Sequence, residues 1–193
     1  MARKQNRRKA SPAAVILTVL VLAALFVWRM LGSPEDGKTQ ITLPNGELHV
    51  WFLDVGQADS SLLVCDGQAM LIDGGNVDDA SYVVSSLEQY GVTSLDYVIN
   101  THCDEDHVGG LAGVLAKFPA EHVWSSTAEY GTKAFSNFVK YANEQGRAIE
   151  IPSPGDTFTL GEAEITVLGP LRDYENNNEN SIVLRVDYGE TSF

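Results

Sequence analysis

Two cysteines in 193 residues are too few for a disulfide-built scaffold. Basic residues are scarce where a polyanion-binding surface would need them. Six of the 13 lysines and arginines (Arg3, Lys4, Arg7, Arg8, Lys9, Arg29) fall in the first 31 positions, which contain no acid. Residues 32–193 carry the other 7 against all 26 aspartates and glutamates, a net of 7 − 26 = −19. That balance disfavours diffuse electrostatic binding of nucleic acid. No internal repeat or low-complexity tract is present. Gly74-Gly75 is not followed by Gly-Lys-Ser/Thr, so it reads as a turn and not as a phosphate loop. No spacing suggests a Ser-His-Asp or Cys-His nucleophile. What remains is an ordinary globular composition, 44% apolar and 20% charged, at a length suited to one domain with a real core.

The amino end has a different character. A basic cluster from Arg3 to Lys9 precedes an apolar run from Ala13 to Trp28. As a helix that run spans ~24 Å, and Arg29, Met30 and Leu31 extend it towards the ~30 Å hydrocarbon core. Residues 1–31 are therefore expected to be a basic cytoplasmic stub and a single-pass signal anchor at the cell membrane. A cleaved signal peptide, leaving a secreted domain, is the rival. The turn-rich Gly32–Lys38 opens a linker over 32–40, and 41–193 reads as an extracytoplasmic domain. Cys65 and Cys103 are not expected to pair, since one ends an apolar strand and the other lies in a polar motif.

Along the domain, Ile41–Leu43 and Glu47–Val55 flank Pro44-Asn45-Gly46, a hairpin signal. Further strands are expected at Ser60–Cys65, Ala69–Ile72, Leu95–Asn100, Glu121–Trp124, Ala148–Ile151, Thr157–Leu160, Glu164–Leu168 and Ser181–Asp187. Helical spacing marks Ala80–Tyr90, Val108–Phe118 and Lys133–Glu144. Strands followed by βαβα order predict an α/β layered domain with a mixed sheet. A turn at Tyr188–Thr191 begins a return strand that Ser192 and Phe193 do not deliver, so Ser181–Asp187 is expected to lack a hairpin partner. His49 and His122 alternate with apolar residues and read as structural or surface histidines.

The chemistry concentrates in Thr101–Gly110, T-H-C-D-E-D-H-V-G-G. Two imidazoles and three carboxylates occupy His102 to His107, between a buried strand and a helix. In an extended-to-turn segment His102 and Asp104 point to one side, with Asp106 and His107 at the helix start. Two N/O ligand pairs side by side suit two adjacent divalent cations. Calcium alone is disfavoured because imidazoles are poor calcium ligands. Gly109 and Gly110 allow close backbone packing.

This motif resembles the H-x-H-x-D-H signature of the metallo-β-lactamase fold superfamily, with Asp104 at the second histidine. Phe52–Ser60 (F-L-D-V-G-Q-A-D-S), Leu71–Gly75 (L-I-D-G-G), Leu168–Pro170, Asn176–Arg185 and Tyr188–Phe193 resemble its ComEC-like extracellular hydrolase branch, in order. Ala58 departs from the branch's usual glycine. The resemblance implies an αββα sandwich and a binuclear centre, with His102 and Asp104 on the first metal and Asp106 and His107 on the second. It places Asp73 at the floor of the site, orienting ligands or water, and Asp54 and Asp59 near the same cleft. Asn178 stands about where the superfamily has a third histidine. In the branch a bridging aspartate and a later histidine follow, so the domain is expected to be incomplete.

The resemblance thus implies a metal-dependent hydrolase that acts through an activated hydroxide on phosphodiesters such as DNA or nucleotides. Zinc is the expected metal, and Asp104 in place of histidine raises manganese as a rival. Lys133, Lys140 and Arg147 are the only strip on offer for a polyanion. The acidity keeps a small ester, lactone or β-lactam substrate open, as well as a non-catalytic cell-surface module. No protein partner is inferable.

Overall fold

The computed structural model describes residues 43–193, so the expected anchor over 13–31 and the linker over 32–40 lie outside the described residues. Among the described residues no helix is long and apolar enough to cross a membrane. Ten strands among the described residues form two sheets. β1 (Leu48–Phe52), β2 (Ser61–Cys65) and β3 (Gln68–Ile72) are an antiparallel meander. β4 (Leu95–Asn100), β5 (Ala120–Ser125) and β6 (Ile149–Glu150) extend it in parallel. The second sheet is antiparallel, ordered β10-β9-β8-β7, from β7 (Thr157–Leu160), β8 (Ala163–Gly169), β9 (Val183–Tyr188) and β10 (Thr191–Ser192).

Strand periodicity sorts the core into two layers. On β2, Leu62 and Val64 face the helices, whereas Leu63 and Cys65 face the second sheet. The α-helices among the described residues are α1 (Ala80–Gln89), α2 (Glu105–Val108), α3 (Leu111–Lys117) and α4 (Lys133–Glu144). In α4 the Thr132 hydroxyl caps the first turn by accepting from Phe135 N–H at 3.3 Å, and Gly146 closes the helix at φ 73°. Phe135 and Phe138 are buried on its inner face, each contributing roughly 1.5–3 kcal/mol. The two free cysteines are buried in different layers, Cys65 between the sheets and Cys103 under the helices.

A mixed α/β layered fold is thus present, as the element order predicts. Several details differ. Among the described residues β1 pairs with β2, and residues 41 and 42 of the expected hairpin lie outside the described residues; the Asn45-Gly46 turn is pinned by Gly46 N–H donating to Asp66 Oδ1 at 2.7 Å. Of the αββα sandwich, the described residues supply one helical layer and both sheets, and Thr159, Glu164, Leu168 and Arg185 on the outer face of the second sheet are exposed.

The expected helix over Val108–Phe118 is two helices. Asp106 O is taken by Asp59 N–H and His107 O by Gly74 N–H, at 3.2 and 2.7 Å. Gly110 N–H turns to Gly75 O at 3.1 Å. These long-range bonds replace the helical ladder and break it at Gly109-Gly110. The carboxyl-end expectation is also corrected. β9 pairs with β8 on one side and with β10 on the other, where Val186 and Phe193 exchange both backbone hydrogen bonds at 2.9 and 3.1 Å.

Candidate metal centre

β3 and β4 run parallel and end together, so Asp73 and Thr101 emerge side by side. Asp73 has φ 58°, a left-handed conformation that aspartate tolerates better than most residues. Its amide still donates to Ile99 O at 2.8 Å. The bend returns a buried carboxylate beneath the following loop, where it is fully engaged. Oδ1 accepts from Thr101 N–H at 2.8 Å, and Oδ2 accepts from the Thr101 hydroxyl at 2.6 Å and from His107 Nδ1 at 2.8 Å. Because a carboxylate only accepts, His107 carries its proton on Nδ1 and presents a lone pair on Nε2. That nitrogen faces Asp59 Oδ2 at 3.5 Å.

His102 is deeper, with 3% of its surface exposed. Its Nδ1 lies 3.2 Å from Thr101 Oγ1 and 3.3 Å from Ser181 Oγ. Its Nε2 is buried without a hydrogen-bond partner and faces Asp104 Oδ2 at 3.6 Å. The two imidazoles are neighbours, with ring centroids 3.9 Å apart. Burial, and then the adjacent His107, holds the His102 pKa below the ordinary range against the pull of Asp73, Asp104 and Asp106. Burial also lowers that of His107, but the Asp73 hydrogen bond and the charges of Asp73, Asp106 and Asp59 carry it above the ordinary range.

The remaining acids divide by what holds them. Asp104 accepts from the side-chain amides of Asn177 at 2.7 Å and Asn178 at 3.2 Å. Asn178, placed at the third-histidine position, is thus a donor to Asp104. Asp106 accepts from Gln57 Nε2 at 3.4 Å, and it is Asp59 that reaches His107 Nε2. Asp54 turns to Gly56 N–H within its own exposed loop at 3.4 Å. Gln57, Asn177, Ser181 and the Thr101 hydroxyl escape a reading of the sequence, because each acts by reaching across to another segment. A cavity of about 440 Å³ adjoins Asp104 through Asn177, and Glu129, Asp173 and Glu175 line it.

The glycine pairs lock this frame together. A Cβ on Gly110 would meet Gly74 O at 2.0 Å, and one on Gly109 would meet Val77 N at 2.4 Å. Only glycine lets the 74–77 and 109–110 backbones approach so closely.

Among the described residues no three His, Cys, Asp or Glu side chains converge on one ion position. The donors stand as two facing pairs, His102 with Asp104 and His107 with Asp59. Ligands about 2.0–2.1 Å from one tetrahedral ion lie about 3.3 Å apart, close to the 3.6 and 3.5 Å found here. An imidazole lone pair facing a carboxylate is two acceptors without a proton between them, and a buried orphan nitrogen such as His102 Nε2 calls for a partner. Divalent cations fit this donor set.

The model of the metallo-β-lactamase superfamily matches residues 53–192. The chain belongs to the metallo-β-lactamase superfamily. Three of its curated relatives are ComEC-like. ComE operon protein 3 of Bacillus subtilis is 24% identical over 168 residues, covering 77% of this chain and 22% of that protein. Recombination protein 2 of Haemophilus influenzae is 28% identical over 149 residues, covering 72% of this chain and 17% of that protein. The chain therefore spans about a fifth of the length of these relatives. MEM-A1, a subclass B3 metallo-β-lactamase from a soil metagenome library, superposes with a TM-score of 0.54 at 17% identity, over 80% of this chain and 62% of that one. That likeness concerns the fold. Membership in this superfamily suggests hydrolase activity in general.

Proposed function

We propose that this superfamily member is a metal-dependent phosphodiester hydrolase, ComEC-like in its substrate class, with DNA or nucleotides as substrate. The observation that supports this most is the pair of imidazole Nε2 atoms, each facing a carboxylate at 3.5–3.6 Å. His102 and Asp104 would hold one divalent cation, and His107 and Asp59 the other, with Asp106 close by. Zinc is the expected occupant and manganese the rival, since Asp104 makes the first pair oxygen-rich. When bound, such ions supply Lewis acidity and a water of lowered pKa.

The chain's own residues hold the donors still. Asp73 fixes the proton of His107 on Nδ1, and Asn177 and Asn178 orient Asp104. Gln57 steadies Asp106. Anchoring by residues 13–31, with the domain on the extracytoplasmic face, is part of the same proposal. A part in DNA uptake during competence is too.

The acid-lined cavity beside Asp104 favours a second reading, a hydrolase of a small ester, lactone or β-lactam. Lys140 pairs with Glu144 at 3.6 Å, which weakens the strip expected to attract a polyanion. Assays of the full chain with zinc or manganese on bis(4-nitrophenyl) phosphate, a nucleotide diester and a β-lactam separate the readings. Metal-dependent turnover of the diesters, lost in His107→Ala, is the expected result. Turnover of the β-lactam alone would overturn the phosphodiester assignment.

A further inference from the structure

The geometry points to Thr101 as a positioning residue through which one carboxylate, Asp73, sets the proton position on both imidazoles. The Thr101 hydroxyl lies 2.6 Å from Asp73 Oδ2. A carboxylate oxygen only accepts, so the single hydroxyl proton is committed there. The lone pairs of Thr101 Oγ1 then face His102 Nδ1 at 3.2 Å.

Ser181 repeats the argument from the other side. Its hydroxyl donates to Asn178 O at 2.7 Å, which also only accepts, and its lone pairs face the same Nδ1 at 3.3 Å. Two hydroxyl oxygens with no proton to spare meet at His102 Nδ1, so that nitrogen must carry the hydrogen. Nε2 is left as the lone-pair nitrogen, the buried atom found without a partner.

The result is one continuous chain: His102 Nδ1–H to Thr101 Oγ1–H to Asp73 Oδ2, which also accepts His107 Nδ1–H at 2.8 Å. Thr101 cannot easily swing out of it. Its amide donates to Asp73 Oδ1 at 2.8 Å, and its carbonyl accepts from Ile182 N–H at 2.9 Å. Asp73 thus reaches His107 directly and His102 through one hydroxyl. The two Nε2 lone pairs are aimed at Asp59 and Asp104 by the same anion. The use of those lone pairs rests on the metal-centre reading above, whereas the proton positions stand apart from it.

The test uses the full chain, stripped of metal with a chelator and held near pH ~8, above the ordinary imidazole range. Long-range ¹H–¹⁵N correlation of the rings reports which nitrogen is protonated. Both His102 and His107 are expected as Nδ1–H in the wild type and in Thr101→Ser, which keeps the hydroxyl. In Thr101→Val combined with Ser181→Ala, His102 is expected to move to Nε2–H while His107 stays unchanged. A merely structural role for Thr101 would shift the melting temperature without that selective change.

Zinc titration supplies the second readout. The double variant is expected to bind one of two ions about 10- to 100-fold more weakly, the usual cost of losing an outer-shell partner, with Thr101→Ser restoring it. His102 found as Nε2–H in the wild type overturns the relay, even if the double variant does not fold. So does Nδ1–H persisting in a folded double variant. Wild-type protein with both expected tautomers but no zinc uptake overturns the metal reading and leaves the relay supported.

Discussion

His107 Nε2 stands 3.5 Å from Asp59 Oδ2, a pairing that Asp106, one residue from His107, was expected to make. The loop after β1 brings Asp59 there because its amide is bonded to the Asp106 carbonyl, while the Asp106 side chain turns to Gln57. Asp59→Ala should therefore weaken one of two bound cations by at least ~10-fold. Because its side chain is 72% exposed, stability should change by no more than about 0.5 kcal/mol. Asp106→Ala should cost less binding. Competitive chelator titration of the two variants decides between them, and the opposite order would make Asp106 the ligand.

The close approach of Gly110 to Gly74 O predicts a large steric effect. With backbone at 2.0 Å from the new Cβ, Gly110→Ala should destabilise the fold by at least ~3 kcal/mol. Gly131→Ala meets nothing within 4 Å and should stay within about 0.5 kcal/mol of wild type. Denaturant melts of the pair provide the measurement, and equal midpoints would contradict the packing described.

Removing Asp73 should leave three donors without their acceptor: Thr101 N–H, the Thr101 hydroxyl and His107 Nδ1–H. Each buried orphan costs about 1–3 kcal/mol, so Asp73→Ala should be strongly destabilising in the metal-free protein. Asp73→Asn retains one acceptor oxygen and should fall between the two. A melt showing Asp73→Ala as stable as wild type would contradict the network.

The two histidines should titrate apart in the metal-free protein. His107 lies above the ordinary 6.5, so its contribution to stability is full below that value and is lost as pH rises through its folded pKa. His102 lies below 6.5. Its neutral form is the one the fold favours, and stability is lost as pH falls beneath 6.5 towards its folded pKa. Ring-proton NMR titration should find His107 protonated first on acidification, and Asp73→Asn should lower it. The reverse order would refute the assignment of causes.

Elements whose limits are local were legible in the sequence. Leu95–Asn100, Lys133–Glu144 and Thr157–Leu160 have the limits expected of them; for Lys133–Glu144 the Thr132 cap and Gly146 are adjacent to the helix. The break at Gly109-Gly110 was not legible, because Asp59 and Gly74 cause it from distant segments. The same holds within the site. His102, Asp104 and His107 announce themselves by spacing, and Asp73 by resemblance. Which acid faces which imidazole depends on the loop after β1. The contact of Asn178 was not legible either: its side-chain amide donates to Asp104, a partner 74 positions away.

The central claim is that His102 with Asp104 and His107 with Asp59 form two cation sites. Equilibrium dialysis of the full chain against zinc and manganese, followed by metal analysis, tests it most directly. Two ions per wild-type chain are predicted, falling to one in His102→Ala and one in His107→Ala, with His122→Ala unchanged. The same metal content in all four proteins, or none in the wild type, would contradict it.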